Sequence, residues 1–175
     1  MRTRIICLNA LIASLAIAAS VASSDDQAPK PVAQIGNPDS TKWTATTYEA
    51  AASEANKKVL ASGKPVTVTG EVVDVSCYLQ LGKRGEAHIP CGSKCLEHGQ
   101  PIGLLDKDEK LYILFAEEHH PRRDGLVDLK KVFVPLLAKT VSVTGMETDM
   151  KDYHALFVRA SDLDGVKAEK SGTMK

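Results

Sequence analysis

The chain of 175 residues carries 22 basic and 22 acidic side chains, a formal net charge of zero, and is 43% hydrophobic. That balance excludes a general binder of nucleic acid or of anionic membranes, which needs a basic surplus. The length fits one domain with a modest core, behind an export signal.

The signal is expected over residues 1–22. Arg2 and Arg4 supply its positive start, 5–19 its apolar run, and Ser20-Val21-Ala22 the small residues for cleavage. The run is too short for a comfortable membrane span, and no second stretch of spanning length follows. A periplasmic or secreted protein with no integral membrane segment after cleavage is therefore expected. Cleavage removes two bases and no acid, leaving a slight acidic excess. It also removes Cys7, which leaves Cys77, Cys91 and Cys95, an odd number that disulfides alone do not pair.

Residues 23–42 are polar, contain Pro29, Pro31, Gly36 and Pro38, and read as a disordered linker, with an irregular arm packed near Trp43 as the alternative. A helix is predicted next. Thr46 and Glu49 have capping-box spacing; Tyr48, Ala51, Ala52, Ala55 and Val59 share a face; Gly63 and Pro65 end it. A strand is predicted over 66–77. Val66, Val68 and Val72 share one parity, and Val73, Val75 and Cys77 the other, so a bulge or bend is expected near Gly70, with Cys77 facing inward.

Residues 76–100 show no helix or strand period and hold Gly82, Gly85, Pro90, Gly92 and Gly99, which predicts a long functional loop. Strands are predicted at 102–105 and 111–115, around a polar turn at 106–110. After a polar loop at 117–125, Leu126, Leu129, Val132, Phe133, Leu136 and Leu137 recur at helical spacing, interrupted by Pro135. Residues 140–148 and 153–160 alternate as a hairpin, and 165–175 form a flexible charged tail.

The expected fold of 43–164 is mainly β: a five-stranded OB-fold-like barrel with an N-terminal helix and a helix between strands three and four. Val66-Thr67-Val68-Thr69-Gly70 echoes Val141-Ser142-Val143-Thr144-Gly145, as two barrel strands meeting the same bend requirement would. Ligands of such barrels meet the loop after the first strand and the loop between the last two. Here the first is the cysteine-histidine stretch. The second carries Met150, with His154 just beyond, and the two loops are expected to approach one another.

The candidate site is Cys77, His88, Cys91, Cys95 and His98. Thiolate and imidazole suit soft or borderline ions, so the implied cofactor is copper or zinc and the implied partner a metal ion. Cys91 and Cys95 share a face if their segment is helical. His88 is the preferred fourth ligand beside three thiolates, with His98 as its substitute. Two other readings compete. In one, Cys91 and Cys95 cycle between dithiol and disulfide, with Lys94 or a histidinium lowering a thiol pKa. In the other, a disulfide bond staples a ligand-binding barrel. Glu71, Asp74, Glu86 and Glu97 lie near enough to accept a hydrogen bond from a histidine ring. His119 and His120 are a weaker metal signal. No serine nucleophile elbow, phosphate loop, zinc-protease helix or haem-attachment motif is present, and an enzyme is not expected.

Cys91-Gly92-Ser93-Lys94-Cys95 resembles the copper motif of the Sco family, a CxxxC paired with a distant histidine. The resemblance covers these five residues, implies copper, and does not extend to the thioredoxin fold of that family. The stretch from Gly70-Glu71-Val72-Val73-Asp74 through Pro101-Ile102-Gly103-Leu104-Leu105 is similar to small uncharacterised exported bacterial proteins of OB-like type.

Overall fold

The computed structural model describes residues 29–37 and 42–164; the expected signal at 1–22 and tail at 165–175 lie outside them. Strand β1 (Gln34–Ile35) lies parallel to β5 (Thr140–Met150), and the Ile35 side chain is fully buried. This part of the predicted linker is thus an ordered arm against the barrel.

Helix α1 (Ala45–Ala50) and helix α2 (Glu54–Ser62) replace the single predicted N-terminal helix. Each has its own cap: Thr44 Oγ1 accepts from Thr47 N, and Ser53 Oγ accepts from Asn56 N. The cap residue is therefore Thr44, not Thr46. Tyr48 and Val59 of the predicted apolar face are exposed. What attaches this unit is Trp43, whose indole donates to Leu60 O at 2.9 Å, and the buried Glu117, whose Oε1 accepts from Thr44 N at 2.5 Å and Thr47 Oγ1 at 2.9 Å.

Strands β2 (Lys64–Asp74), β3 (Ile102–Asp106), β4 (Leu111–Ala116), β5 and β6 (Tyr153–Val158) form a closed five-stranded barrel, ordered β5-β2-β3-β4-β6 and closed by β5–β6 pairing. The β4–β6 pair is parallel, and the other four barrel pairings are antiparallel. This is an OB-fold-like barrel, as expected.

Closure depends on two strands that change partners. β2 pairs with β5 from Lys64 to Glu71 and with β3 from Gly70 to Asp74. A Cβ on Gly70 would come within 2.4 Å of Leu105 O. β5 makes the same change over Met146 and Glu147, just after Gly145, and a Cβ on Gly145 would come within 2.3 Å of Phe157 O. Both echoed glycines thus stand where a backbone must approach closely. The β2 register runs through without a bulge. Val68 and Val72 face the main core, whereas Val73, although buried, packs outside it against Gly103.

The interior joins Val68, Val72, Leu104, Leu114, Val141, Val143, Leu156 and Val158 from the strands. Burying each stabilises the fold by about 1.5–3 kcal/mol. Helix α5 (Lys130–Phe133) continues as a 3-10 turn over Val134–Leu136 and delivers Phe133, Leu136 and Leu137 to that core. The predicted helix is shorter than its apolar period, and Leu126 is left 91% exposed. Among the described residues no helix is long and apolar enough to cross a membrane.

Candidate metal centre

Asp74 ends β2 and begins the site. Its side chain is fully buried, and its Oδ1 accepts from Ser76 N at 3.0 Å and Cys77 N at 3.3 Å. That cap starts helix α3 (Val75–Leu81), which stops at Gly82 in the left-handed region, φ 65°. The predicted strand over 66–77 therefore ends at Asp74, and Cys77 sits on the first turn of a helix instead of pointing inward from a strand. The same cap brings the Cys77 sulfur back towards the carboxylate.

The predicted loop at 76–100 is mostly helical. A 3-10 turn over Glu86–His88 leads directly into helix α4 (Ile89–Glu97). Gly85 N donates to Glu71 Oε1 at 2.7 Å, and Lys139 pairs with Glu86 at 2.8 Å, so the turn is tied to both β2 and the start of β5. Pro90 lies in the first turn of α4, where its missing N–H costs nothing. Leu96, fully buried, anchors α4 in the barrel core. Gly92 lets α4 lie on the His88 ring: a Cβ there would come within 2.9 Å of Leu137 Cδ2 and 3.0 Å of His88 Nε2.

This packing brings Cys77 of α3 to Cys91 and Cys95 of α4. The three sulfurs lie within 4.8 Å of one another, and all three cysteines are free. Cys91 is exposed; Cys77 and Cys95 are half-buried. A second triad adjoins the first and shares Cys77. Asp74, Cys77 and His88 place one ligand atom each within a mutual 4.8 Å. The Asp74 Oδ2 to His88 Nε2 distance is 3.7 Å, too long for a hydrogen bond, and among the described residues neither atom has a hydrogen-bond partner.

The electrostatics follow from these contacts. The Asp74 carboxylate, by hydrogen bonding and then by its charge, together with loss of water, pushes the Cys77 thiol up to about 12. Burial pushes Cys95 up as well. Neither shift involves Lys94, and neither favours the thiolate that disulfide exchange requires. A cation is the agent that turns such thiols into ligands, by displacing their protons.

The other predicted residues fare unequally. His88 converges with Cys77 and Asp74, but is not grouped with Cys91 and Cys95. His98 caps the far end of α4, exposed, with Nδ1 2.6 Å from Lys94 O, and the structure does not bring it to the sulfurs. His119 holds Glu117 O at 3.0 Å, and His120 is exposed. Sequence reasoning placed Asp74 near a histidine but did not count it as a ligand. Its available signal was an aspartate immediately before the Val75-Ser76-Cys77 run, the pattern of a helix cap.

A third cluster, Glu147, Asp149 and His154, was not foreseen. It sits on the β5–β6 hairpin, where His154 pairs with Tyr112 at the β3–β4 turn. Asp74, by contrast, pairs with Ile102 at the other end of β3. The two ligand-bearing loops expected to approach one another are thus apart in the barrel register.

No family model, curated protein or solved structure matches this chain.

Proposed function

We propose that this is an exported metal-handling protein whose three cysteines bind a soft ion, Cu(I) or Zn(II), at the face of an OB-like barrel. The observation that carries the reading is the convergence of the Cys77, Cys91 and Cys95 sulfurs from two separate helices. A metal–sulfur distance of about 2.3 Å implies sulfur–sulfur distances of about 3.8–4.0 Å, so the observed triad needs little closure. Thiolates select copper and zinc over magnesium and calcium. Three protein donors leave a tetrahedral ion one open position, and the exposure of Cys91 puts that position within reach of a partner ligand. These features suit an ion that is passed on better than one sealed into a purely structural shell.

Export would place the thiols in an oxidising compartment, where a bound ion protects them. The test uses the exported chain, cleaved of its expected signal, purified under reducing conditions and stripped of metal. Zn(II) or Cu(I) is expected to shield all three thiols from alkylation, and Cys95→Ser to abolish the shielding of Cys91. A native protein with an inert disulfide, one free thiol and no metal would overturn this reading in favour of a stapled barrel. A disulfide exchanging rapidly with a dithiol would overturn it in favour of redox chemistry.

A further inference from the structure

We propose that the protein binds a second ion beside the first, held by Asp74 Oδ2, His88 Nε2 and the Cys77 thiolate, with Cys77 bridging the two. This rests on the three-thiolate reading and extends it from one ion to a pair.

Two independent observations meet here. The first is geometric: the Asp74, Cys77 and His88 ligand atoms lie within 4.8 Å of one another, and Cys77 belongs equally to the Cys77-Cys91-Cys95 triad. The second is the state of the two remaining donors. The Asp74 side chain is fully buried and His88 is 5% exposed, yet Oδ2 and Nε2 have no hydrogen-bond partner among the described residues. A buried carboxylate oxygen and a buried ring nitrogen that make no hydrogen bond are costly, and across 3.7 Å they attract one another only when the ring is protonated. At 3.7 Å the two atoms are close enough for one cation to satisfy both.

The surroundings hold that arrangement. Asp74 Oδ1 is committed to the start of α3, which fixes the carboxylate plane. His88 is braced by the Gly92 backbone, where no Cβ intrudes. These are the supports that orient metal-binding side chains. Charge points the same way. Three thiolates and one carboxylate carry four negative charges, and neutral His88 adds none. One divalent ion leaves half of that charge uncompensated in a partly buried site; two divalent ions balance it. A carboxylate, an imidazole and a thiolate form a mixed donor set suited to zinc or its spectroscopic substitute cobalt, and poorly suited to magnesium or calcium.

The experiment titrates reduced, metal-free full chain with Co(II), and separately with Zn(II), under anaerobic conditions, followed by desalting and elemental analysis. Two ions per chain are expected. Asp74→Asn, which keeps the capping oxygen, and His88→Gln should each retain one ion together with the sulfur-to-cobalt charge-transfer band. Cys91→Ser should also retain one. A readout independent of any variant is magnetic coupling: two Co(II) ions sharing a thiolate should give less paramagnetic signal than twice that of the one-ion form.

One ion per chain, unaltered in His88→Gln and lost in Cys91→Ser, would overturn the second site and leave the three-thiolate reading standing. Two ions in both the Asp74 and His88 variants, or two uncoupled ions, would also overturn it, since the second ion would then lie elsewhere. No bound ion in the wild type would overturn both readings.

Discussion

Among the described residues, two regions of the barrel gather triads of metal-ligating side chains within 4.8 Å, and one of the two has the character of a binding site. On the β5–β6 hairpin, Glu147 already has a cation, with Lys110 Nζ at 2.8 Å, and Asp149 is bonded to His154 at 2.6 Å. That contact holds the Asp149 carboxyl below its ordinary range, and its side chain stands 47% exposed. Beneath the helices after β2, Asp74 Oδ2 and His88 Nε2 are buried 3.7 Å apart, with no hydrogen-bond partner among the described residues. The lesson is that convergence of ligands is common, while convergence with charge left uncompensated marks a place that needs a partner.

The largest effect that would separate the two regions is on ion binding itself. Cys77→Ser removes the atom common to both triads and should weaken binding by more than about 100-fold, beyond what loss of a supporting residue costs; competition with a chelator of known affinity measures it. Equal loss from disrupting the hairpin would erase the distinction.

Next in size is Gly92→Ala. Its Cβ has no space against Leu137 and His88, so α4 must shift or the ring must turn. We expect a destabilisation of about 1–3 kcal/mol by denaturant unfolding, with weaker ion retention.

A pH effect sharpens the contrast. Without metal, the Cys77 thiol is pushed from its ordinary 9.0 up to about 12 by Asp74. The folded state then holds that proton more tightly than the unfolded chain does. This contribution is complete below 9.0 and is lost as pH rises towards about 12. Unfolding midpoints of the metal-free protein should fall across that window, and Cys77→Ser should flatten the fall.

The smallest effect belongs to the hairpin. Glu147→Gln breaks its ion pair with Lys110, which is partly exposed, and should change stability by at most about 1 kcal/mol. The number of ions bound per chain should stay the same. A loss of metal there would show that both clusters bind.

The barrel was legible because its signals are periodic. Alternating Val and Thr residues marked the strands, and the repeated glycines marked where β2 and β5 change neighbours. The site was legible as chemistry and not as shape. Helices α3 and α4 carry no long apolar face, since only Val75 on the first and Gly92 and Leu96 on the second are buried. The start of α3 depends on a local cap, the Asp74 carboxylate turning back on Ser76 N and Cys77 N, which no period records. That cap also moved Cys77 off the strand. His98 stood as a substitute for His88 because spacing alone cannot say that one ring lies under Gly92 while the other faces water. The N-terminal helix divided for a similar reason, since Ser53 supplies a second cap inside an alanine-rich run that periodicity treats as continuous.

The most direct test is X-ray absorption at the metal edge, on reduced full chain loaded with one equivalent of Zn(II) or Cu(I). The account predicts a first shell dominated by about three sulfur atoms at about 2.3 Å. A first shell of oxygen and nitrogen alone, or no retained metal, would contradict it.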